Sequence, residues 1–183
     1  MDDREAIRRM KNGDTGGLEV LVNQYQLKAV RVAFLVTHDI ALAEDIVQDT
    51  FIRLYQRARQ IDESRRFEPY LMRSVVNAGI NAVRGSAKTV SLDADPAVLE
   101  TLLEQAASVE SQVEYSQLSH EILQALSKLS PRQRAVIVQR YYLEMSEQEM
   151  AQALHAAPGT IKWMLNAARH KLRDLLASER NVE

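Results

Sequence analysis

Apolar residues recur at three- and four-residue intervals along almost the whole chain, the spacing that gathers them on one face of an α-helix. The pattern predicts helices over 3–11, 17–37, 39–59, 68–84, 112–128, 132–142, 146–154 and 159–177. No run of alternating β-branched residues is long enough to predict a strand. From Gly85 to Glu110 the pattern lapses: turn formers lead, Asp95-Pro96 stands in the middle, and the segment reads as a linker with a short helix over 97–106. It separates blocks of about 85 and about 70 residues, each small for an independent core, so helical packing with short connections is expected. The predicted fold class is all-α: two small helical domains over 1–87 and 116–183, joined by a linker over 88–115.

Two helix starts in the second block are sharply marked. Ser130-Pro131-Arg132-Gln133 puts a capping serine before a proline at the first helical position, and Ser146-Glu147-Gln148-Glu149 has the form of a capping box. A short helix to Leu154, the turn His155-Ala156-Ala157-Pro158-Gly159 and a longer helix from Thr160 fit a helix-turn-helix or an ordinary helical hairpin. On the second of these helices, Ile161, Met164, Leu165, Ala168, Leu172, Leu175 and Leu176 share the core stripe. Trp163, Asn166 and His170 fall opposite, flanked by Lys162, Arg169 and Arg173, a set suited to reading a DNA groove or to meeting solvent.

The first block offers two more surfaces. On helix 39–59 the stripe Ala43, Ile46, Val47, Thr50 and Leu54 is predicted buried, leaving Glu44, Asp45, Gln48, Asp49, Ile52 and Gln56 together on the other side. An isoleucine among acids fits a basic partner with an apolar anchor, and a plain solvated face is the alternative. On helix 68–84 the expected core side is Leu71, Met72, Val75, Ala78, Gly79 and Ala82, with Tyr70, Arg73, Asn77, Asn81 and Arg84 outward. Arg57, Arg59, Arg65, Arg66 and Phe67 precede it. Rings, guanidiniums and amides so interleaved are what unpaired nucleic acid needs for stacking, phosphate and base-edge contacts, although Phe67 and Tyr70 also suit a core.

Composition narrows the classes. The chain of 183 residues has no cysteine, which excludes disulfides, thiolate zinc sites and cysteine nucleophiles. Its four histidines, His38, His120, His155 and His170, are scattered without metal-ligand or nucleophile–base spacing, so neither an enzyme nor a metal or other cofactor is expected. The start, Met1-Asp2-Asp3-Arg4-Glu5, lacks the apolar segment of a secretory signal, and no uncharged stretch reaches the roughly 18 apolar residues of a membrane span. A cytoplasmic protein with no membrane insertion is expected. The net charge of −2 hides an uneven distribution: residues 1–87 carry 13 basic and 12 acidic side chains, 88–115 one and six, and 116–183 nine and seven. The acid in the middle masks whatever basic surface the flanking blocks have.

Several motifs in order carry a family resemblance: Gly13-Asp14, then Ala43-Glu44-Asp45-Ile46-Val47-Gln48-Asp49-Thr50-Phe51, Phe67-x-x-Tyr70-Leu71 with Asn77 beyond it, Leu129-Ser130-Pro131-Arg132-Gln133-Arg134, and Gly159-Thr160-Ile161-Lys162. Together they resemble the extracytoplasmic-function, or group IV, sigma factors of the sigma-70 superfamily, over nearly the whole chain. The resemblance implies a bacterial transcription initiation factor that binds core RNA polymerase and directs it to promoter DNA. Region two, over 1–87, would bind the polymerase clamp helices through Glu44, Asp45, Gln48, Asp49, Ile52 and Gln56. It would melt the minus-ten element with Arg65, Arg66, Phe67, Tyr70, Arg73, Asn77 and Arg84, the segment 61–67 holding a flipped base. Region four, over 116–183, would touch the polymerase flap and read the minus-thirty-five element with Thr160, Lys162, Trp163, Asn166, Arg169, His170 and Arg173. The acidic linker would run through the basic polymerase channel, and an anti-sigma factor would be a further partner.

The chain departs from the family pattern at named places. Tyr70 stands where tryptophan is usual and Asn81 where aspartate is; Gly85-Ser86-Ala87-Lys88 replaces a basic run. Trp163 and Met164 replace serine and arginine, and Asn166 and Ala167 replace histidine and arginine, which thins the basic positions of the recognition helix. Two other classes compete with the resemblance: a sigma-like adaptor acting by protein contacts alone, and a stand-alone helix-turn-helix regulator of duplex DNA. The second gives no role to the acidic face at 44–56.

Overall fold

A computed structural model of the chain describes residues 2–85 and 121–180, with side chains to Arg84 in the first span and Ala177 in the second. All regular structure among the described residues is helical. The first block comprises α1 (Asp3–Lys11), α2 (Thr15–Thr37), α3 (Ile40–Gln56), a 3-10 turn at Ala58–Gln60 and α4 (Phe67–Gly85). The second comprises α5 (121–127), α6 (Pro131–Ile137), a π turn at Val138–Tyr142, α7 (Glu147–Ala153) and α8 (Pro158–Arg180).

Local chemistry sets most boundaries. Asp2, Asp14 and Asp39 cap α1, α2 and α3, their carboxylates accepting from the backbone N–H groups of Arg4, Gly16 and Leu42. Both expected capping boxes form: Gln133 N donates to Ser130 Oγ at 3.3 Å and Ser130 N to Gln133 Oε1 at 3.0 Å, while Glu149 N donates to Ser146 Oγ at 3.2 Å and Ser146 N to Glu149 Oε2 at 2.8 Å. α2 ends on His38, which takes the left-handed conformation at φ 56° and returns its N–H to Phe34 O at 2.7 Å. Gly17 lets α1 cross α2 closely, since a Cβ there would lie 2.2 Å from Ala6 O.

α2 is the axis of the molecule. It packs against α1, α3 and α4, and its carboxy-terminal half is buried nearly all round, from Ala29 to Thr37. The extra burial comes from the second block, whose α6 and π turn also lie on α2. Leu123, Ala135 and Val138 are buried in one cluster with the first block's core, and Leu143 and Leu154 pack against it. A second core gathers Leu126, Leu129, Val136, Ile137, Met150, Ile161, Leu165 and Ala168. Leu35 of α2 touches both.

Arg134 fastens this junction. It is 1% exposed, and its Nε donates to Val36 O at 2.8 Å in the first block. One terminal nitrogen donates to Ser127 O and Leu129 O in its own block. These carbonyls lie at the carboxy-terminal ends of α2 and α5, where the helix dipoles are negative. Burial lowers the guanidinium to about 10, so it remains charged near neutrality. Other polar atoms on the meeting elements are less well served. Arg31 Nε and Nη2, His38 Nε2, Arg73 Nε and both amide atoms of Gln139 are buried without a hydrogen-bond partner. Such orphans cost about 1–3 kcal/mol each.

The structure corrects several sequence expectations. The helix predicted over 132–142 gives way after Ile137 to a π turn, closed by Leu143 N to Val138 O at 3.0 Å. Helix 39–59 stops at Gln56 and continues only as the 3-10 turn. On α4, Val76 and Ile80 are buried while Ala78 and Ala82 are only half-buried, because α4 packs against α2, α3 and α6 rather than one neighbour. The linker at 88–115, its short helix at 97–106 and the start of the helix at 112–128 lie outside the described residues.

His38 makes stability pH-dependent. Burial, and then the charge on Arg134, depresses its imidazole from 6.5 to about 4. The unfolded chain takes up that proton at higher pH than the folded one, so stability is full above about pH 6.5 and falls as pH drops toward 4. The full loss is on the order of 3 kcal/mol. Urea unfolding at pH 7 and pH 4.5 should show this fall, and His38→Asn, which tolerates the left-handed conformation, should lessen it.

Candidate nucleic-acid interface

α3 presents the two-sided surface its pattern predicts. Ala43, Ile46, Val47, Thr50, Phe51 and Leu54 are buried, while Glu44, Asp45, Gln48, Asp49, Ile52 and Gln56 are all exposed. Ile52 is 45% exposed among these groups, an apolar contact point inside an acidic surface. The Asp49–Arg53 pair at 3.6 Å is solvent-exposed, so it neutralises little of the face.

The segment between the 3-10 turn and α4 is organised by one carboxylate. Asp62 accepts from Ser64 N at 3.0 Å and Ser64 Oγ at 2.6 Å, and Arg65 Nε lies 3.2 Å from its other oxygen. The Ser64 bonds, more than the nearby cations, hold Asp62 below the usual carboxylate range. The turn leaves Arg65 and Arg66 exposed at the rim of a pocket of about 170 Å³. Its other walls come from the start of α1, with Asp2, Asp3, Arg4 and Ile7, and from Tyr25 of α2. Tyr25 OH donates to Asp3 Oδ2 at 2.8 Å; burial, then this bond, pushes its hydroxyl well above the tyrosine range. Sequence reasoning missed these α1 and α2 residues because nothing local marks a contact across 22 positions.

Phe67 is the clearest correction among the expected nucleic-acid contacts. It is 2% exposed and tilted against Tyr25 at 5.7 Å, so its ring closes the core and reaches the pocket only as part of its lining. As the first residue of α4 it turns inward, between Tyr25 and Tyr70. Tyr70, 44% exposed, is the ring available on this face. Arg84 is exposed, whereas Arg73 and Asn77 are half-buried. Arg73 lies close enough to Glu149 of α7 for its charge to help lower that carboxylate, after the larger effect of the Ser146 bonds.

In the second block, α7 and α8 meet through a turn in which His155 adopts φ 49°. Ile161, Leu165 and Ala168 are buried, and Met164, Leu172, Leu175 and Leu176 half-buried. Thr160, Lys162, Trp163, Asn166, His170 and Arg173 stand exposed on α8, Trp163 at 70%. Arg169 is half-buried because its Nε donates to Tyr141 OH at 2.6 Å and its guanidinium lies 5.5 Å from that ring's centre. Tyr141 joins this surface through the π turn, which a helical reading of 132–142 did not anticipate.

Comparison with known proteins agrees on both blocks. Residues 21–89 match the family described as Sigma-70 region 2, and residues 119–172 that described as Sigma-70, region 4. The chain is 31% identical over 179 residues to the ECF RNA polymerase sigma factor SigW of Bacillus subtilis, covering 94% of this chain and 96% of that protein. Its fold is similar to CnrH, solved in complex with the cytosolic domain of CnrY, with a TM-score of 0.64, 22% identity and coverage of 96% and 97% of the two chains. It is also similar to the sigma factor RpoE solved with the anti-sigma factor NepR from Bartonella quintana, with a TM-score of 0.61, 23% identity and coverage of 87% and 98%.

The Asp62 turn can be tested apart from any ligand. Asp62→Ala should speed hydrogen exchange at the Ser64 amide while leaving the thermal midpoint unchanged, since the two Ser64 bonds and the Arg65 contact it removes are on the surface. Unaltered exchange there would show that the turn is held by other groups.

Proposed function

Because the chain belongs to the ECF RNA polymerase sigma factors, a family of transcription initiation factors, we propose that its three exposed surfaces divide that task among polymerase, melted strand and duplex. The acidic α3 face, Glu44, Asp45, Gln48, Asp49, Ile52 and Gln56, docks the clamp helices of core polymerase. The observation that carries this reading is Ile52, exposed one turn from Asp49 and two turns from Asp45 on a helix whose opposite side is packed. Charge complementarity orients the encounter, and the apolar side chain supplies an anchor.

The pocket rimmed by Arg65 and Arg66 receives an unpaired minus-ten base, and Tyr70 stacks beside it. Arg4, Arg65 and Arg66 suit phosphates beside the acids Asp2, Asp3 and Glu68, and buried Tyr25 and Phe67 complete the lining. α8 enters the major groove of the minus-thirty-five element with Trp163, Asn166 and His170 toward base edges, and with Thr160, Lys162, Arg169 and Arg173 toward phosphates. Residues 1–87 and 116–183 act as the two DNA-engaging domains, with 88–115 spanning them. The reading assigns the chain no catalytic step and no cofactor; among the described residues no group of His, Asp and Glu is arranged to hold a metal. A cytoplasmic site of action follows from the partners proposed, and no described helix is long and apolar enough to cross a membrane. An anti-sigma factor is a further proposed partner, as the similar sigma factor RpoE was solved with one.

Run-off transcription with core polymerase and a promoter library tests the whole reading: specific transcripts are expected. Polymerase binding without initiation would make the chain an adaptor, and duplex binding without polymerase contact a stand-alone regulator. Reversing Asp45 and Asp49 to arginine should abolish core binding while leaving helicity intact, since like charges brought together cost several kcal/mol. A double variant that binds core normally would remove α3 from the interface. Tyr70→Ala should impair open-complex formation on duplex templates, with a stacked base contributing about 1–3 kcal/mol. The loss should be smaller on a pre-melted bubble, and equal loss on both would assign Tyr70 a packing role.

A further inference from the structure

The π turn and α8 together make a site that neither carries alone. Tyr141, 58% exposed on the turn, accepts from Arg169 Nε at 2.6 Å across 28 positions of chain. We propose that Tyr141 and Arg169 form one composite clamp for a backbone phosphate of duplex DNA: the phenol holds the guanidinium by its Nε and adds its own O–H, while the two terminal nitrogens take the phosphate oxygens. The proposal rests on the reading of α8 as the helix that faces duplex DNA, and adds to it a residue from outside that helix.

The turn presents the ring on a fixed backbone. Leu143 N donates to Val138 O at 3.0 Å and Met145 N to Gln139 O at 2.9 Å, and the Arg140 guanidinium donates to Met145 O at 3.0 Å. A π turn takes up more residues than an α-helical one, so side chains within it leave the register of the helix before it. Tyr141 leaves that register toward α8, where the Arg169 guanidinium lies 5.5 Å from its ring centre. A ring this exposed adds little to the core, and its hydroxyl is what the contact uses.

The donors of the pair remain available to an anion. A hydroxyl that accepts from a guanidinium still has its own proton to give, and the adjacent charge polarises that O–H into a better donor. Among the described residues nothing accepts it, and Arg169 has no carboxylate at ion-pairing distance. Lys162, Lys171 and Arg173 on the same helix have none either, whereas Arg8, Arg9, Lys11, Lys28, Arg53 and Arg65 in the first block are each matched by an acid. α8 thus keeps its charge for a partner. The planar fork of terminal nitrogens matches two phosphate oxygens. Because Nε is held beforehand, less side-chain freedom is lost when the phosphate arrives.

A duplex selected from a random library by the full chain mixed with core polymerase supplies the target for a test. In that duplex each phosphate is replaced in turn by an uncharged methylphosphonate. For the unaltered chain, the position held by the clamp should cost on the order of tenfold in affinity. Arg169→Ala should bind less tightly, show no penalty at that position, and lower the slope of log affinity against log salt by about 0.9. Tyr141→Phe keeps the ring and removes only the hydroxyl. It should reduce the same penalty to about threefold, leave the salt slope as it is because no charge is lost, and unfold at an unchanged temperature. Added to Arg169→Ala, it should cost no more than about twofold further. A Tyr141→Phe chain that keeps the full penalty would overturn the clamp. So would equal losses at every phosphate, which a purely structural role would give. Lys162→Ala separates the clamp from the reading beneath it. If Lys162→Ala removes a phosphate penalty of its own and Arg169→Ala removes none, α8 lies on the duplex without the clamp. If neither removes any, or no duplex is selected, α8 does not engage DNA and the two fall together.

Discussion

A buried guanidinium that draws on backbone carbonyls from two blocks holds this molecule in the form described. Arg134 takes Val36 O from the end of α2 and Ser127 O and Leu129 O from the end of α5, so its charge lies against the negative ends of two helices. The arrangement fixes where α6 rests on α2, and with it the burial of Ala135 and Val138 in the first core. His38 feels the same charge, which adds to burial in depressing its imidazole. Removing the guanidinium would leave carbonyls on both sides without a donor, which is why truncating it would disturb each block as well as their contact.

What the sequence made legible was what local chemistry decides. The caps Asp2, Asp14, Asp39, Ser130 and Ser146 fix helix starts through bonds two or three residues away, and the α3 stripe follows from its own period. Legibility ended where distant segments compete for one side chain. Phe67 could face a base or a core, and Tyr25, 42 positions earlier, settles the matter. Val76 and Ile80 are buried because α4 has neighbours on more than one side, including a helix from the other block. The pocket draws its walls from α1, α2 and the Asp62 turn, and no short motif joins those three. Arg134 to Val36 spans 98 positions; in the sequence it is only one basic residue within a capped helix start.

The helices differ in how many demands they meet. α3 has one packed side and one free side, and its acidic residues carry almost no structural duty. α4 carries both kinds of duty on one cylinder: its buried side closes the core, Tyr70 and Arg84 face solvent, and Arg73 lies against the second block. Substitutions on α4 therefore reach core and exposed face together, while those on the acidic face of α3 leave the packing untouched. The recognition surface of α8 resembles α3 in this respect, except at Arg169, which Tyr141 restrains.

Trp163 has a consequence outside binding. It is the one tryptophan of the chain and its indole is 70% exposed on α8. When the protein is excited at the red edge of indole absorption, its intrinsic emission comes from that face alone. Free in solution, the chain should emit like a hydrated indole. Contact that excludes water from α8 should shift the colour of that light, while docking confined to α3 should leave it unchanged. The molecule thus carries its own optical reporter of contact at α8, placed where the family pattern has a serine.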